Sequence, residues 1–428
     1  MRRRWTTAVA VSVAGLLALS ACGGGDGQEA GGGLKAHKKV EVFSWWTGPG
    51  EADGLKAMRK VFAKQNPEFE FFDAAVAGGS GDAARALLSS KLQANQPPDT
   101  FQGHAGAELQ GYIKSGKLEP VNFLYDELKL KEVFPQQLID QITVEGQVYS
   151  VPVNIHRSNV LWFNPSVLRK AGVDGAPKTV EEFVTDLEKV KKSGRIPLSI
   201  GSEWTLVHLF ESVLLGSLGT DAYNALWTTG ADWSNPTVTR ALENFKTILS
   251  YAGTPQADWQ PAAKQVADGK AAFNIMGDWA YSYLHNAPPG GLGKESHKDF
   301  DWAASPGTDG TFMWLSDSFT LPRGTPNRNG AIAWLKMAAS EEGQDAFNPL
   351  KGSIPARKDA DRSLYKDYLS WSLDQWSGSK LAGSIQHGVV ADDEWRAAIT
   401  EAVGLFQRDK DVAKFQRALV AAAKDSGQ

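Results

Sequence analysis

Val40-Glu41-Val42-Phe43-Ser44-Trp45-Trp46-Thr47-Gly48-Pro49-Gly50-Glu51 is the stretch from which the fold of this chain can be read. Val40, Val42 and Ser44 alternate with Glu41, Phe43 and Trp45, and Gly-Pro-Gly closes the run, so the pattern predicts a strand running into a loop. Neighbouring side chains on a strand point to opposite faces, so Trp45 and Trp46 cannot both enter one core. At least one large ring is left near the carboxyl end of the strand, the edge at which open α/β sheets bind ligands. Ligand pockets are rich in aromatic side chains, which favours ligand contact over plain packing in a kinked loop.

Downstream, Leu55, Met58, Val61 and Phe62 recur at helical spacing, and Asn66-Pro67 ends that helix. A strand is expected over Glu68–Ala74, then a Gly-rich loop, a helix through Leu87, Leu88 and Leu92, a break at Pro97-Pro98 and a strand over Thr100–Gln102. Strands alternating with helices in this way predict a parallel-sheet α/β lobe. Thr143 to Tyr149 reads as a hairpin turning at Glu145-Gly146, followed by an extended segment from Ser150 to Asn159 that leaves the first lobe. A second lobe begins at Val160. Thr179-Val180-Glu181-Glu182 is a capping box opening a helix to about Lys192, and Leu206, Leu209, Phe210, Val213 and Leu214 form an amphipathic stripe assigned to core.

Upstream, Arg2-Arg3-Arg4 precedes an apolar run from Ala8 to Leu19, too short for a stable membrane span, and Leu19-Ser20-Ala21-Cys22 follows. These are the parts of a signal peptide, and Leu-Ser-Ala-Cys resembles a bacterial lipobox, which implies cleavage before Cys22 and lipid attachment to its sulfur. Cys22 is the only cysteine, so stability must come from the core. The glycines between Gly23 and Gly33 predict a flexible tether holding a soluble body off a membrane, with folded sequence from about Lys38.

The 428 residues allow one large or two medium domains. A formal net charge of -4, spread along the chain, gives no nucleic-acid footprint. The 15 tryptophans against 5 methionines, many beside Gly, Ser, Asn or Asp, suggest rings used as exposed flat surfaces.

Several segments carry a resemblance. Asn164-Pro-Ser-Val-Leu-Arg-Lys-Ala-Gly172, Pro177-Lys-Thr-Val-Glu-Glu-Phe183 and Gly269-Lys-Ala-Ala-Phe-Asn-Ile-Met-Gly-Asp-Trp279 are similar to the recurring segments of family 1 extracellular solute-binding proteins, the sugar receptors of bacterial ABC importers. Ser44-Trp45-Trp46, Gln102-Gly-His104, Val151 to Asn159, Leu315-Ser-Asp-Ser-Phe319 and Asn348-Pro-Leu-Lys-Gly-Ser-Ile354 resemble the glucose/mannose-binding branch. The resemblance covers nearly everything after the tether. It implies an α/β, two-lobed periplasmic-binding-protein fold of type II-like form, with the ligand cleft between lobes joined by a multi-crossing hinge. The organisation expected is a signal peptide over 1–21, a lipid-anchored tether over 22–37, one lobe from 38–153 with 310–350, and a second from 154–309 with 351–428. It also implies a monomer on the outer face of the cytoplasmic membrane that passes a hexose to an ABC permease, without cofactor or metal.

A sugar ring has apolar C–H faces and a rim of hydroxyls, so its receptor needs flat aromatics and fixed polar groups. The resemblance assigns ligand contact to Trp45, Trp46 and Glu51 in the first loop, with Gly50 and Glu51 competing for the acid's position, and to Gln102 and His104 at a strand end. From the second lobe it assigns Trp259 and Trp279; Trp259 by itself would read as a surface residue starting a helix. Asp317 interrupts a half-buried strand and needs a donor to offset desolvation, for which a sugar hydroxyl or Lys351 would serve. Lys351 and His387, which alone would read as solvated loop residues, complete the set. His156-Arg157 is expected as a structural ion pair beneath the cleft, and Trp204, Trp302, Trp314 and Trp334 as core or surface.

Enzymatic readings lack their motifs. Gly79-Ser80-Gly81-Asp82-Ala83-Ala84 fits only a loose dinucleotide pattern, and the chain has no Walker loop, no H-E-x-x-H, no paired cysteines and no G-x-S-x-G elbow. The rival is an anchored glycoside hydrolase, which would need two facing carboxylates from among Glu51, Glu203, Asp278 and Asp317. A non-catalytic adhesin or sensor is a third possibility.

Overall fold

The computed structural model describes residues 38–78 and 81–427. The signal peptide expected over 1–21, the lipidation site Cys22 and the tether over 22–37 lie outside the described residues, as do Gly79 and Ser80 of the dinucleotide-like loop. Among the described residues no helix is long and apolar enough to cross a membrane.

The opening stretch forms the strand Lys39–Phe43, which pairs in parallel with Glu70–Asp73 on one side and Thr100–His104 on the other. The crossovers are the helices Glu51–Gln65 and Asp82–Gln93. The first buries Leu55, Met58, Val61 and Phe62, the spacing read from sequence. In the second, Leu88 and Leu92 face inward but Leu87 is 43% exposed, because only residues three or four apart share a helical face. The sheet is completed from far along the chain: Asp317–Thr320 runs antiparallel to Thr100–His104, and Ser150–Pro152 lies beyond it. The expected hairpin is present as Thr143–Val144 paired with Gln147–Val148. Its turn residues Glu145 and Gly146 both have positive φ, 50° and 75°, which matches the twist of a two-residue hairpin.

A second sheet has the order Asp301–Ala304, Val160–Phe163, Ala271–Ile275, Ile196–Leu198. The capping box opens the helix Val180–Lys192, with Thr179 and Glu182 each serving the other's backbone N–H. Helix Glu203–Leu218 buries Leu206, Leu209, Phe210, Val213 and Leu214 as expected, together with Trp204, His208 and Glu211. The buried apolar residues form two clusters, the first of which reaches across to Trp162, Trp204 and Phe300 beside the second sheet. The first includes Val40, Phe62, Leu88, Phe319 and Trp334; the other includes Leu161, Leu187, Phe210, Phe245, Phe273 and Phe415.

A short three-stranded sheet, Lys380–Gly383, Thr311–Leu315 and His156–Arg157, joins the halves. The chain passes between the large sheets from Pro152 to Val160, and again from Ala304 to Asp317 by way of Thr311–Leu315. Ile155 also bridges Ile354 through two backbone hydrogen bonds of 2.7 and 3.0 Å. The fold is therefore α/β and two-lobed, with several strands of chain crossing between the lobes.

The tryptophans do not serve as exposed surfaces. No described tryptophan is classed as exposed, and Trp46, Trp162, Trp233 and Trp334 are almost wholly buried. Their polar neighbours in sequence reflect short strands that end in loops, and the rings turn back into the protein.

Candidate functional site

Trp45 and Trp46 follow the last residue of the strand Lys39–Phe43 and separate as their positions require. Trp46, 1% exposed, packs on Phe347 at 4.4 Å between ring centroids and edge-on to Phe319 at 5.5 Å. Trp45 turns into a cavity of about 330 Å³, its ring centroid 5.0 Å from that of His104. Gly81 lies on the Trp45 indole: a Cβ there would come within 2.8 Å of the ring, and its φ of 87° is one that L side chains rarely adopt.

Eight of the ten assigned contact residues line this cavity: Trp45, Glu51, His104, Trp259, Trp279, Asp317, Lys351 and His387. Trp46 and Gln102 do not; Trp46 is core. Gln102 stands behind the wall, its Oε1 accepting the Trp45 N–H at 3.1 Å and its Nε2 donating to Asp317 Oδ1 at 2.8 Å.

The polar wall is built by buried partners. Glu51 opens the helix Glu51–Gln65, accepting the Gly48 N–H at 3.2 Å and the Lys351 ammonium at 2.8 Å. Of the two donors offered for Asp317, a sugar hydroxyl or Lys351, the lysine pairs with Glu51 instead. Asp317 accepts hydrogen bonds from Gln102 on Oδ1 and, at 2.7 Å, from Asn154 Nδ2 on Oδ2, and His156 Nε2 lies 3.3 Å from that same Oδ2. Burial would push the Asp317 carboxyl up, but His156, then His104 and Lys351, hold it well below the usual carboxylate range. His156 also bonds Asp278 through Nδ1. Burial opposes its charge, yet Asp278 and Asp317 outweigh burial and raise its pKa above the ordinary value. The expected ion pair beneath the cleft is therefore His156 with Asp278, and His156 itself reaches the cavity wall. Arg157 is buried, donating to Asn159 Oδ1 and the Thr311 carbonyl, both at 3.1 Å. His104 bonds Glu108 Oε2 at 2.7 Å through Nδ1. Against the upward push of burial, His104 and Arg85 hold the Glu108 carboxyl down to about 2.

The facing wall is aromatic. Trp279 begins the helix Trp279–His285, just beyond the strand Ala271–Ile275. Gly277 makes the reversal possible, since a Cβ there would sit 2.3 Å from the Trp279 ring. Trp259 starts the helix Trp259–Ala267, with the Asp258 side chain accepting its N–H at 2.8 Å. Trp204, assigned from sequence to core or surface, lines the cavity and donates from Nε1 to Asp258 Oδ1 at 2.9 Å. Asp258 and Gln260 line the cavity as well and were missed. The signal for Trp204 was available: like Trp45 and Trp279 it follows a strand end, here Ile196–Leu198, and like Trp279 it stands at the start of a helix. Among these rings His387 packs on Trp279 at 5.1 Å and on His104 at 5.4 Å. Burial, followed by its cationic neighbours, pushes its pKa well below the ordinary value.

The wall chemistry suits a hydroxylated ring better than bond cleavage. Of the four carboxylates considered for hydrolysis, Asp278 is fully buried against His156, Asp317 is held ionised, Glu51 is paired with Lys351, and Glu203 is exposed and outside the cavity lining.

The family model of bacterial extracellular solute-binding proteins matches residues 57–370. An ABC transporter extracellular-binding protein of Pyrococcus horikoshii, itself uncharacterised, is 32% identical, covering 90% of this chain and 88% of the relative. A probable sugar-binding periplasmic protein of Mesorhizobium japonicum is 33% identical over 75% of this chain and 76% of its own. Among solved structures, the bacterial solute receptor AcbH, described as having an exclusive preference for β-D-galactopyranose, superposes with a TM-score of 0.79 at 17% identity, over 90% of this chain and 98% of that one. The chain belongs to the bacterial extracellular solute-binding proteins, and its fold is that of the periplasmic binding proteins.

Proposed function

We propose that this chain is the sugar receptor of an ABC importer, capturing a hexose, glucose or a close epimer such as mannose or galactose, and delivering it to the permease. One observation carries this reading: indole rings of Trp45, Trp204, Trp259 and Trp279 share a cavity with Glu51, His104, Asp317, Lys351 and His387. Flat rings match the C–H faces of a pyranose, and charged acceptors and donors match its hydroxyl rim with the more directional hydrogen bonds. The names of the Pyrococcus and Mesorhizobium relatives support an ABC transporter's binding protein and a sugar ligand respectively.

In this reading the lobes, 38–153 with 310–350 and 154–309 with 351–428, close as bodies about the crossings. Sugar touching both walls lowers the free energy of the closed form relative to the open one. The protein acts as a monomer, exported by its signal peptide and anchored through lipidated Cys22 to the outer face of the cytoplasmic membrane. Calorimetric titration of the purified protein with glucose, mannose, galactose, maltose and cellobiose tests the reading; tight binding of at least one is expected, and silence across the panel retires it. Incubation with aryl glycosides and oligosaccharides should give no turnover. Turnover abolished by changing one carboxylate would favour the hydrolase.

A further inference from the structure

Behind the aromatic wall lies a cluster of which sugar capture uses only His387, at the cavity surface. His208 and Glu211 stand three residues apart on the helix Glu203–Leu218, which puts them on one face. His387 approaches from the turn that follows Lys380–Gly383. His208 and Glu211 are fully buried and His387 is 3% exposed, at the cavity surface. One ligand atom from each of the three lies within 4.8 Å of the others, and His208 Nδ1 is 3.6 Å from Glu211 Oε1. Bonds of about 2.0–2.2 Å in a tetrahedral zinc site space the ligand atoms about 3.4 Å apart, so this pair is already at coordinating separation and only His387 must draw in.

His208 and Glu211 are each oriented by their neighbours, and His387 is hydrogen-bonded through Nδ1 to Ser384 Oγ at 2.9 Å. His208 Nε2 donates to the Ser158 carbonyl at 2.8 Å, which leaves Nδ1 as a bare lone pair. That atom is buried and has no hydrogen-bond partner. A backbone carbonyl on the far nitrogen is how metal-bound imidazoles are held in one tautomer and aimed. Glu211 is oriented by Ser158 Oγ, Ser384 Oγ and the backbone N–H groups of Ile385 and Gln386, all of them neutral donors. A buried carboxylate with neutral donors only is what a cation would complete.

We propose that His208 Nδ1, Glu211 and His387 form a binding site for a zinc-type divalent cation, its remaining coordination position open toward the cavity. Two imidazoles and a carboxylate with one open position is a donor set that zinc adopts. The site shares His387 with the proposed sugar cavity, while His208 and Glu211 lie outside its lining.

The test titrates the purified, chelator-stripped protein with Zn²⁺ by calorimetry, and separately with Co²⁺ while recording its visible spectrum, with no sugar present. One Zn²⁺ per chain and a Co²⁺ absorption band of a four-coordinate site are expected. His387→Ala and Glu211→Gln should each weaken Zn²⁺ by more than the roughly 10- to 100-fold that outer-shell changes cost, at unchanged secondary structure by circular dichroism. Cys22→Ser, and His297→Ala at an exposed histidine, should leave binding as it is. No saturable Zn²⁺ binding by the parent protein, or binding indifferent to both His387→Ala and Glu211→Gln, would overturn the site. Because no sugar enters the titration, its failure leaves the hexose reading standing, and an empty sugar panel leaves this site standing.

Discussion

On one side of the cleft, Glu51, His104 and Asp317 arrive with partners already in place: Lys351, Glu108, Gln102, Asn154 and His156. On the other side, Trp204, Trp259 and Trp279 present rings whose positions come from local backbone, each opening a helix or standing one residue from its start. The polar wall is set by a network drawn from distant parts of the sequence, as Asp317 to Asn154 and Glu51 to Lys351 illustrate. The aromatic wall is set by short reversals such as Gly277-Asp278-Trp279. Changes to the first wall should therefore spread into stability, whereas changes to the second should stay in binding.

The largest effect expected comes from a ring that belongs to neither wall. Trp46→Ala removes a buried indole from Phe347 and Phe319 and should cost about 3–5 kcal/mol of stability in urea unfolding. Sugar affinity of the protein that remains folded should stay within about tenfold of the parent. Trp45→Ala should do the reverse, losing affinity with a smaller loss of stability, and equal behaviour of the two variants would erase the distinction between them.

Next is Glu108, behind the polar wall. A carboxyl at about 2 in the folded state and 4.5 unfolded adds stability that is fully present above pH 4.5 and lost as pH falls toward 2. The difference corresponds to on the order of 3 kcal/mol at pH 7. Glu108→Gln should forfeit that amount at pH 7, and its unfolding free energy should converge with the parent's between pH 4.5 and 2. A gap independent of pH would assign the cost to packing instead.

Trp279→Ala, in the aromatic wall, should weaken sugar binding by about 2 kcal/mol or more, as for a hot-spot aromatic, with a stability loss smaller than that of Trp46→Ala. A large stability loss without an affinity loss would reverse the contrast between the walls. Smallest is Gly81→Ala, which places a methyl on the Trp45 ring in a left-handed backbone position and should cost about 1 kcal/mol, visible as a shift in tryptophan fluorescence and a modest fall in unfolding free energy.

How much of this could be read from the chain alone follows the same division. The strand before Trp45, the helix over Glu51–Gln65, the hairpin turn and the capping box rest on local patterns, and each stands close to its expected bounds. Eight cavity residues were legible because each sits at a strand end, a helix start or a loop matching a recurring segment. Trp46 and Gln102 were misplaced because period-2 alternation tells which residues face apart but not which face meets the ligand. The pairing of Lys351 with Glu51 was not legible, since nothing local marks a pair separated by 300 residues. His156 was placed beneath the cleft because a His-Arg pair in an extended segment carries no local sign that one ring also reaches the cavity.

A crystal structure grown with the sugar that binds best bears most directly on the central claim. The account predicts a single pyranose with a face against Trp45 or Trp279 and hydroxyls within hydrogen-bond distance of Asp317 and His104. A sugar bound elsewhere on the molecule, or lying in the cleft without touching Asp317 or either ring, would contradict it.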